Sequence, residues 1–103
     1  MTERQLIKRC CQHDRVAQQK LYETYAPKML GICMRYVKDY HVACDLMHEG
    51  FITVYSKIGD FRSEGSFEGW MRRIFVNTAL GYLRKANVLN GSVPVDGLVQ
   101  LDN

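Results

Sequence analysis

The chain has 103 residues, of which 47% are hydrophobic and 24% charged, and its formal net charge is +3. That length accommodates one folded domain with a single modest core. The apolar share excludes an intrinsically disordered chain, and a content of only two prolines excludes a proline-rich repeat. No apolar run is long enough to cross a membrane and no signal-like segment follows the first residues, so the sequence predicts a cytoplasmic protein without membrane attachment.

Basic charge is concentrated in one part of the chain. Residues 61–88 carry five Lys/Arg against two Asp/Glu, whereas residues 89–103 carry two Asp/Glu and no Lys/Arg. A basic excess of this size is typical of many solvated surfaces and does not by itself indicate nucleic-acid binding. The four cysteines are expected to be reduced thiols rather than a disulfide framework, because no export signal precedes them.

Apolar residues recur at intervals of three and four through most of the chain, which is the period of a helix. The sequence therefore predicts an all-α fold, a compact bundle of three to five helices, in one domain at residues 1–88. The predicted helices run from Thr2 to about Cys11, from Arg15 onward, from about His41 to Ile58, and from Phe67 to about Ala86. Residues 89–103 contain Gly, Pro and Asn without a helical period, so they are expected to begin a linker to a second domain that this sequence lacks.

Local signals mark the ends of the predicted helices. Thr2 begins a capping-box pattern, and Asp14 and Ser66 each precede a helix as an N-cap residue. Gly59 is expected to stop the third helix at its C-terminus. Pro27 either kinks the second helix or begins a new one in its first turn, and the sequence alone leaves both open.

Polar residues form a stripe on the third predicted helix. Asp45, His48, Glu49 and Ile52 occupy positions i, i+3, i+4 and i+7, so they share one face. Such a face is either an ordinary solvated surface or a docking surface for a basic helical partner. In the second interpretation the carboxylates pair with Arg and the isoleucine is an apolar anchor.

The last predicted helix carries a different set on one face, namely Trp70, Arg73, Asn77 and Arg84. An indole can stack on an unpaired base, arginine neutralises phosphate, and an amide bonds base edges. In the bend before this helix, Gly65 and Ser66 allow close approach of the backbone, and the helix N-terminus presents free N–H groups. This combination predicts a receptacle for an extruded base. The alternative is that Trp70 is half core and the arginines are surface charges.

Metal binding and catalysis are not predicted. Two clusters contain potential metal ligands, namely Cys10, Cys11 and His13, and His41, Cys44 and His48. Neither cluster has the paired spacing of a zinc site, and Cys33 is better explained as a small core residue. Nucleotide-binding and catalytic motifs such as GxxxxGK[ST] or HExxH do not occur, so we predict no cofactor and no enzymatic activity.

Five short motifs follow one another along the chain. They are HDRVA at 13–17, LYETYAP at 21–27, ACDLMHEGF at 43–51, FRSEGSFEGWMRRI at 61–74 and NTALGYLRK at 77–85. In order and spacing they resemble region 2 of bacterial sigma factors, specifically the extracytoplasmic-function (group IV) branch of the sigma-70 family. The resemblance covers about seventy residues.

This resemblance implies a transcription initiation factor that is not itself an enzyme. In the family, region 2 docks on the coiled coil of the largest RNA polymerase subunit, and it recognises and melts the promoter minus-ten element by capturing the non-template strand. The implied polymerase-binding residues are Asp45, His48, Glu49 and Ile52. The implied DNA-binding residues are Phe61, Arg62, Ser63, Glu64, Gly65, Ser66, Phe67, Trp70, Arg73, Asn77, Arg84 and Lys85. An anti-sigma protein is a further candidate partner.

Two residues depart from the family pattern. His48 stands where the family usually has Gln, which alters the bond available to the polymerase. Gly81 stands where Asp is frequent, and a glycine inside a helix costs roughly 1 kcal/mol relative to alanine. A second interpretation therefore stays open, in which the chain is a helical protein-interaction module, either an adaptor or an anti-sigma-binding domain, without DNA contact.

Overall fold

A computed structural model of the chain describes residues 1–89, and these form four α-helices and one 3₁₀ turn. The elements are α1 at Glu3–Cys11, α2 at Arg15–Tyr36, α3 at Tyr40–Lys57, the 3₁₀ turn at Ile58–Asp60 and α4 at Phe67–Leu89. No strand occurs within residues 1–89, so the predicted all-α bundle is confirmed. The linker predicted at the end of the chain lies, from residue 90 onward, outside the described residues.

The helices begin where their cap residues predict. Thr2 and Gln5 form the expected capping box. The Asp14 carboxylate accepts hydrogen bonds from two backbone N–H groups in the first turn of α2. Asp39 caps α3 in the same way, although the sequence analysis did not identify it. Each of these bonds satisfies donors that would otherwise be unpaired at a helix start.

The path of the backbone tests the predictions that were made at Pro27 and at Gly59. Pro27 lies inside the single helix α2, so no new helix begins there. The prediction that Gly59 stops α3 as a C-terminal glycine cap is wrong. The helix ends at Lys57, and the chain passes at Ile58 into a 3₁₀ turn that contains Gly59. The only described glycine with a positive φ is Gly65, so Gly59 does not adopt the left-handed conformation of a C-terminal glycine cap.

The core lies where α2, α3 and α4 pack against one another, while α1 packs on α2 and beside the 3₁₀ turn. Fully buried side chains from the three long helices fill it, including Leu21, Met29, Cys33, Val54, Met71 and Phe75. Burial of Cys33 confirms its interpretation as a small core residue. None of the helices described within residues 1–89 has the length and apolar character that crossing a bilayer requires.

Gly50 allows α3 and α4 to approach closely. A Cβ atom at this position would collide with the aromatic ring of Phe75 on α4, and that ring is itself fully buried. The Phe75 ring also packs edge-on against Phe51, with 5.0 Å between the ring centroids. Burial and this contact restrict how far the ring could move away from an added Cβ. By contrast, a Cβ at Gly81 would meet nothing within 4 Å, and α4 continues unbroken through this residue.

Substituting the two glycines by alanine should have opposite effects on stability. Gly50→Ala overpacks the α3–α4 contact and should lower the free energy of unfolding by about 1–2 kcal/mol, despite the better helix propensity of alanine. Gly81→Ala, the matched control, should raise it by about 0.5–1 kcal/mol. Urea denaturation followed by circular dichroism measures both. Equal stabilisation by the two substitutions would contradict the close approach at Gly50.

Candidate nucleic-acid interface

The bend between the 3₁₀ turn and α4, residues 61–66, contains two residues with left-handed backbone conformations. Ser63 has a φ of 60° and Gly65 a φ of 89°. Glycine adopts that conformation without the steric cost of a Cβ, whereas serine does not. At the end of the bend, the Ser66 hydroxyl accepts a hydrogen bond from the Gly69 N–H at 3.0 Å, which confirms Ser66 as the N-cap of α4. The bend and the first turn of α4 are thus joined as one unit.

Three aromatic rings connect the bend to the core. Trp70 stacks on Phe67 with 5.8 Å between centroids and an interplanar angle of 16°. Phe61 packs against both rings, with centroids 5.3 Å from Phe67 and 5.5 Å from Trp70. Phe61 and Trp70 are half-buried, so each keeps part of its surface open to solvent. Trp70 is therefore partly a core residue, as the alternative interpretation held, but its indole is not enclosed.

Phe67 requires a correction to the set of DNA-binding residues implied by the resemblance. Its side chain is only 1% exposed and belongs to the core cluster. Tyr25 on α2 contacts it edge-on, with 6.1 Å between centroids. A ring enclosed in this way cannot touch a ligand. Its contribution is to hold Trp70 and Phe61 in place.

An open groove of about 330 Å³ lies between the bend and α1. The bend contributes Phe61, Ser63 and Gly65, and α1 contributes Glu3, Arg4, Ile7 and Lys8. The volume is at the lower end of the range of pockets that hold small ligands. No sequence motif placed α1 at this site, because the docking of a short helix against a distant loop leaves no local sequence pattern.

The exposed face of α4 carries cations and an amide. Arg73 and Lys85 are exposed and Asn77 is half-buried, as is Arg84. Within residues 1–89, neither Arg73 nor Lys85 pairs with a carboxylate, and the same holds for Arg62 in the bend. At a rise of 1.5 Å per residue, the face extends about 21 Å along the helix beyond Trp70. It is long enough to follow several nucleotides.

A second basic groove, of about 530 Å³, flanks α4 where it packs on α2. Its cations are Lys28, Arg35 and Arg72, none of which the sequence analysis identified. Glu68 forms salt bridges of 3.1 Å with both Lys28 and Arg72. This groove is thus partly neutralised by its own carboxylate, unlike the exposed face of α4.

The predicted stripe on α3 is exposed along its whole length. Asp45 and Glu49 are exposed and form no ion pair within the described part of the chain, and Ile52 is 69% exposed. His48 is held against α2, because its Nε2 atom lies 3.3 Å from the Tyr22 hydroxyl and the two rings are nearly parallel. Tyr22 in turn packs on Phe51, with 5.0 Å between centroids. An exposed isoleucine next to exposed carboxylates is a feature of interaction surfaces.

The thiols do not form a metal site in the described residues. No group of three or more His, Cys, Asp or Glu side chains within residues 1–89 is arranged to hold a metal ion. Burial raises the pKa of the Cys33 thiol to about 11, and burial together with the nearby Cys11 raises the pKa of Cys10 to about 11. Both thiols are therefore protonated near neutral pH.

Comparisons with known proteins agree with this geometry. The RNA polymerase sigma-H factor of Pseudomonas aeruginosa is 35% identical over 101 residues, which are 98% of this chain and 50% of that protein. The ECF RNA polymerase sigma-E factor of Haemophilus influenzae is 39% identical over 83 residues, which are 81% of this chain and 43% of that protein. The chain thus spans about half the length of these relatives.

A solved structure matches the fold. An engineered region 2 of sigmaE, determined by NMR in complex with GTAAAA, superimposes with a TM-score of 0.78 and 30% sequence identity, covering 90% of this chain and 96% of that one. The sequence profile of Sigma-70 region 2 matches residues 21–88, which include α3, the bend and nearly all of α4. The chain therefore belongs to the Sigma-70 region 2 family.

Proposed function

We propose that the chain is the domain of an extracytoplasmic-function sigma factor that binds core RNA polymerase and captures the non-template strand of the promoter minus-ten element. One observation carries the proposal: the bend, a solvent-open Trp70 and the exposed cations Arg73 and Lys85 of α4 lie together in a fold that a sigmaE region 2 also adopts when it binds GTAAAA. Since its proposed partners are RNA polymerase and promoter DNA, we expect the domain to act in the cytoplasm. The domain directs the polymerase and is not an enzyme.

The arrangement supports capture of an unpaired base. Extruding a base costs a few kcal/mol of unstacking, which must be offset by contacts made only after extrusion. Trp70 and Phe61 offer aromatic surface for stacking, and the N-terminus of α4 offers backbone N–H groups near the bend. The Asn77 amide, two turns along α4, can donate to and accept from a base edge. Because these contacts offset the cost of unstacking, separation of the promoter strands requires no nucleotide hydrolysis.

The α3 stripe supports a separate protein interface. Asp45 and Glu49 present exposed carboxylates to a basic partner helix, and Ile52, about one turn beyond Glu49, supplies an apolar anchor. We assign this surface to the coiled coil of the largest polymerase subunit. An anti-sigma protein that covers either the α3 stripe or the bend would block initiation.

Loss of the aromatic and amide groups should weaken DNA binding. Trp70 is the only tryptophan, so its fluorescence reports directly on a titration with single-stranded oligonucleotides that include GTAAAA. Trp70→Ala and Asn77→Ala should each reduce affinity by about 5- to 150-fold, since stacking or a good base contact is worth about 1–3 kcal/mol. Fluorescence polarisation of labelled DNA measures both variants.

The matched control is Gln19→Ala, which removes an exposed amide from α2, and it should bind as the wild type does. Thermal unfolding checks that Trp70→Ala still folds, and Asn77→Ala keeps the test valid if it does not. Wild-type affinity in both folded variants would overturn the DNA assignment and favour a protein-interaction module.

Charge reversal on α3 should abolish polymerase binding. Asp45→Arg places a cation on the stripe facing the basic partner, and we expect no complex with core polymerase in a pull-down, while circular dichroism stays unchanged. Glu23→Arg, which reverses an exposed carboxylate of α2 outside the stripe, is the control and should retain binding. Retained binding by Asp45→Arg would remove the stripe from the interface.

A further inference from the structure

The groove beside the bend has one wall that the proposed function leaves unused, and this wall is α1. Arg4 and Lys8 lie one turn apart on the groove side of the helix and are exposed. Within residues 1–89 neither forms an ion pair, whereas the neighbouring Arg9 is bonded to Asp14 at 3.1 Å. Two cations therefore face the bend without a partner.

The side chains of Arg4 and Lys8 do not contribute to the packing of α1 on the bundle. The opposite side of α1 attaches it to the bundle through Leu6 and Cys10, which are 7% and 1% exposed. Long cationic side chains lose rotamer freedom when they are ordered, so an exposed pair with no partner adds little to stability. Both side chains can therefore bind a ligand without disturbing the packing of α1.

The groove has the character of a nucleotide site. Ile7 and Phe61 give it an apolar and aromatic surface, and Phe61 also contacts Trp70. Single-stranded nucleic acids are bound by this combination, in which aromatic surface stacks a base and cations on the rim hold the backbone. One anion, Glu3, also lines the groove, so its charged residues sum to one net positive charge.

We propose that Arg4 and Lys8 bind the phosphodiester backbone of the single strand whose unpaired base enters the bend. The α1 helix and the bend then contact the nucleotide from the two sides of the groove. This inference rests on the proposed function, because the strand must first reach the bend. Glu3 opposes the backbone in this arrangement and limits the affinity.

Neutralising the two cations tests the proposal through its salt dependence. The double variant Arg4→Gln/Lys8→Gln is titrated with fluorescein-labelled GTAAAA at several salt concentrations. On a single strand, each phosphate that a cation neutralises adds about 0.7 to the slope of log affinity against log salt, so the slope should become shallower by about 1.4. Affinity should fall several-fold at low salt. Glu3→Gln should raise affinity, because it removes the opposing charge.

Lys20→Gln is the control, since Lys20 is an exposed cation of α2 that does not line the groove. It should leave the slope unchanged. If Trp70→Ala loses binding while the double variant keeps the wild-type affinity and slope, the role of α1 is overturned and the proposed function stands. If the wild-type chain binds no single-stranded oligonucleotide, the proposed function fails, and this inference fails with it.

Discussion

The burial of Phe67 at the first position of α4 is the contact on which the candidate site depends. The ring is enclosed by Tyr25, Phe61 and Trp70, and the hydroxyl of the preceding Ser66 caps the helix. Together these contacts fix the direction in which α4 leaves the bend. Because helix ends tend to fray, an aromatic anchor at the first turn keeps the bend and the indole in one arrangement.

The same core connects the two proposed surfaces. The α3 stripe and the buried Phe51 belong to one helix. Phe51 contacts Phe75 on α4, the helix that carries Trp70. Gly50 removes the side chain that would separate α3 from α4. A partner bound on α3 is thus one helix away from the DNA face, with close-packed rings between them. Close-packed interiors have low compressibility and transmit strain.

Much of this fold could be predicted from the sequence, because the signals are local. The caps at Asp14 and Ser66 bond backbone N–H groups within the next three residues, so these helix starts can be predicted without knowledge of the tertiary structure. The tertiary features could not be predicted in this way. The resemblance placed Phe67 among the DNA-binding residues, whereas the contact of its ring with Tyr25 on α2 shows that it is buried. The approach of α1 to the bend likewise depends on how whole helices dock, which no local motif contains.

A ¹H–¹⁵N chemical-shift titration of the chain with single-stranded GTAAAA tests most directly whether the bend, α1 and the start of α4 receive an unpaired nucleotide. We expect shifts at the Trp70 indole N–H and at the backbone amides of Ser63, Gly65 and Lys8, with little change in the groove between α2 and α4. Shifts confined to that second groove, around Arg35, with the bend unchanged, would contradict it.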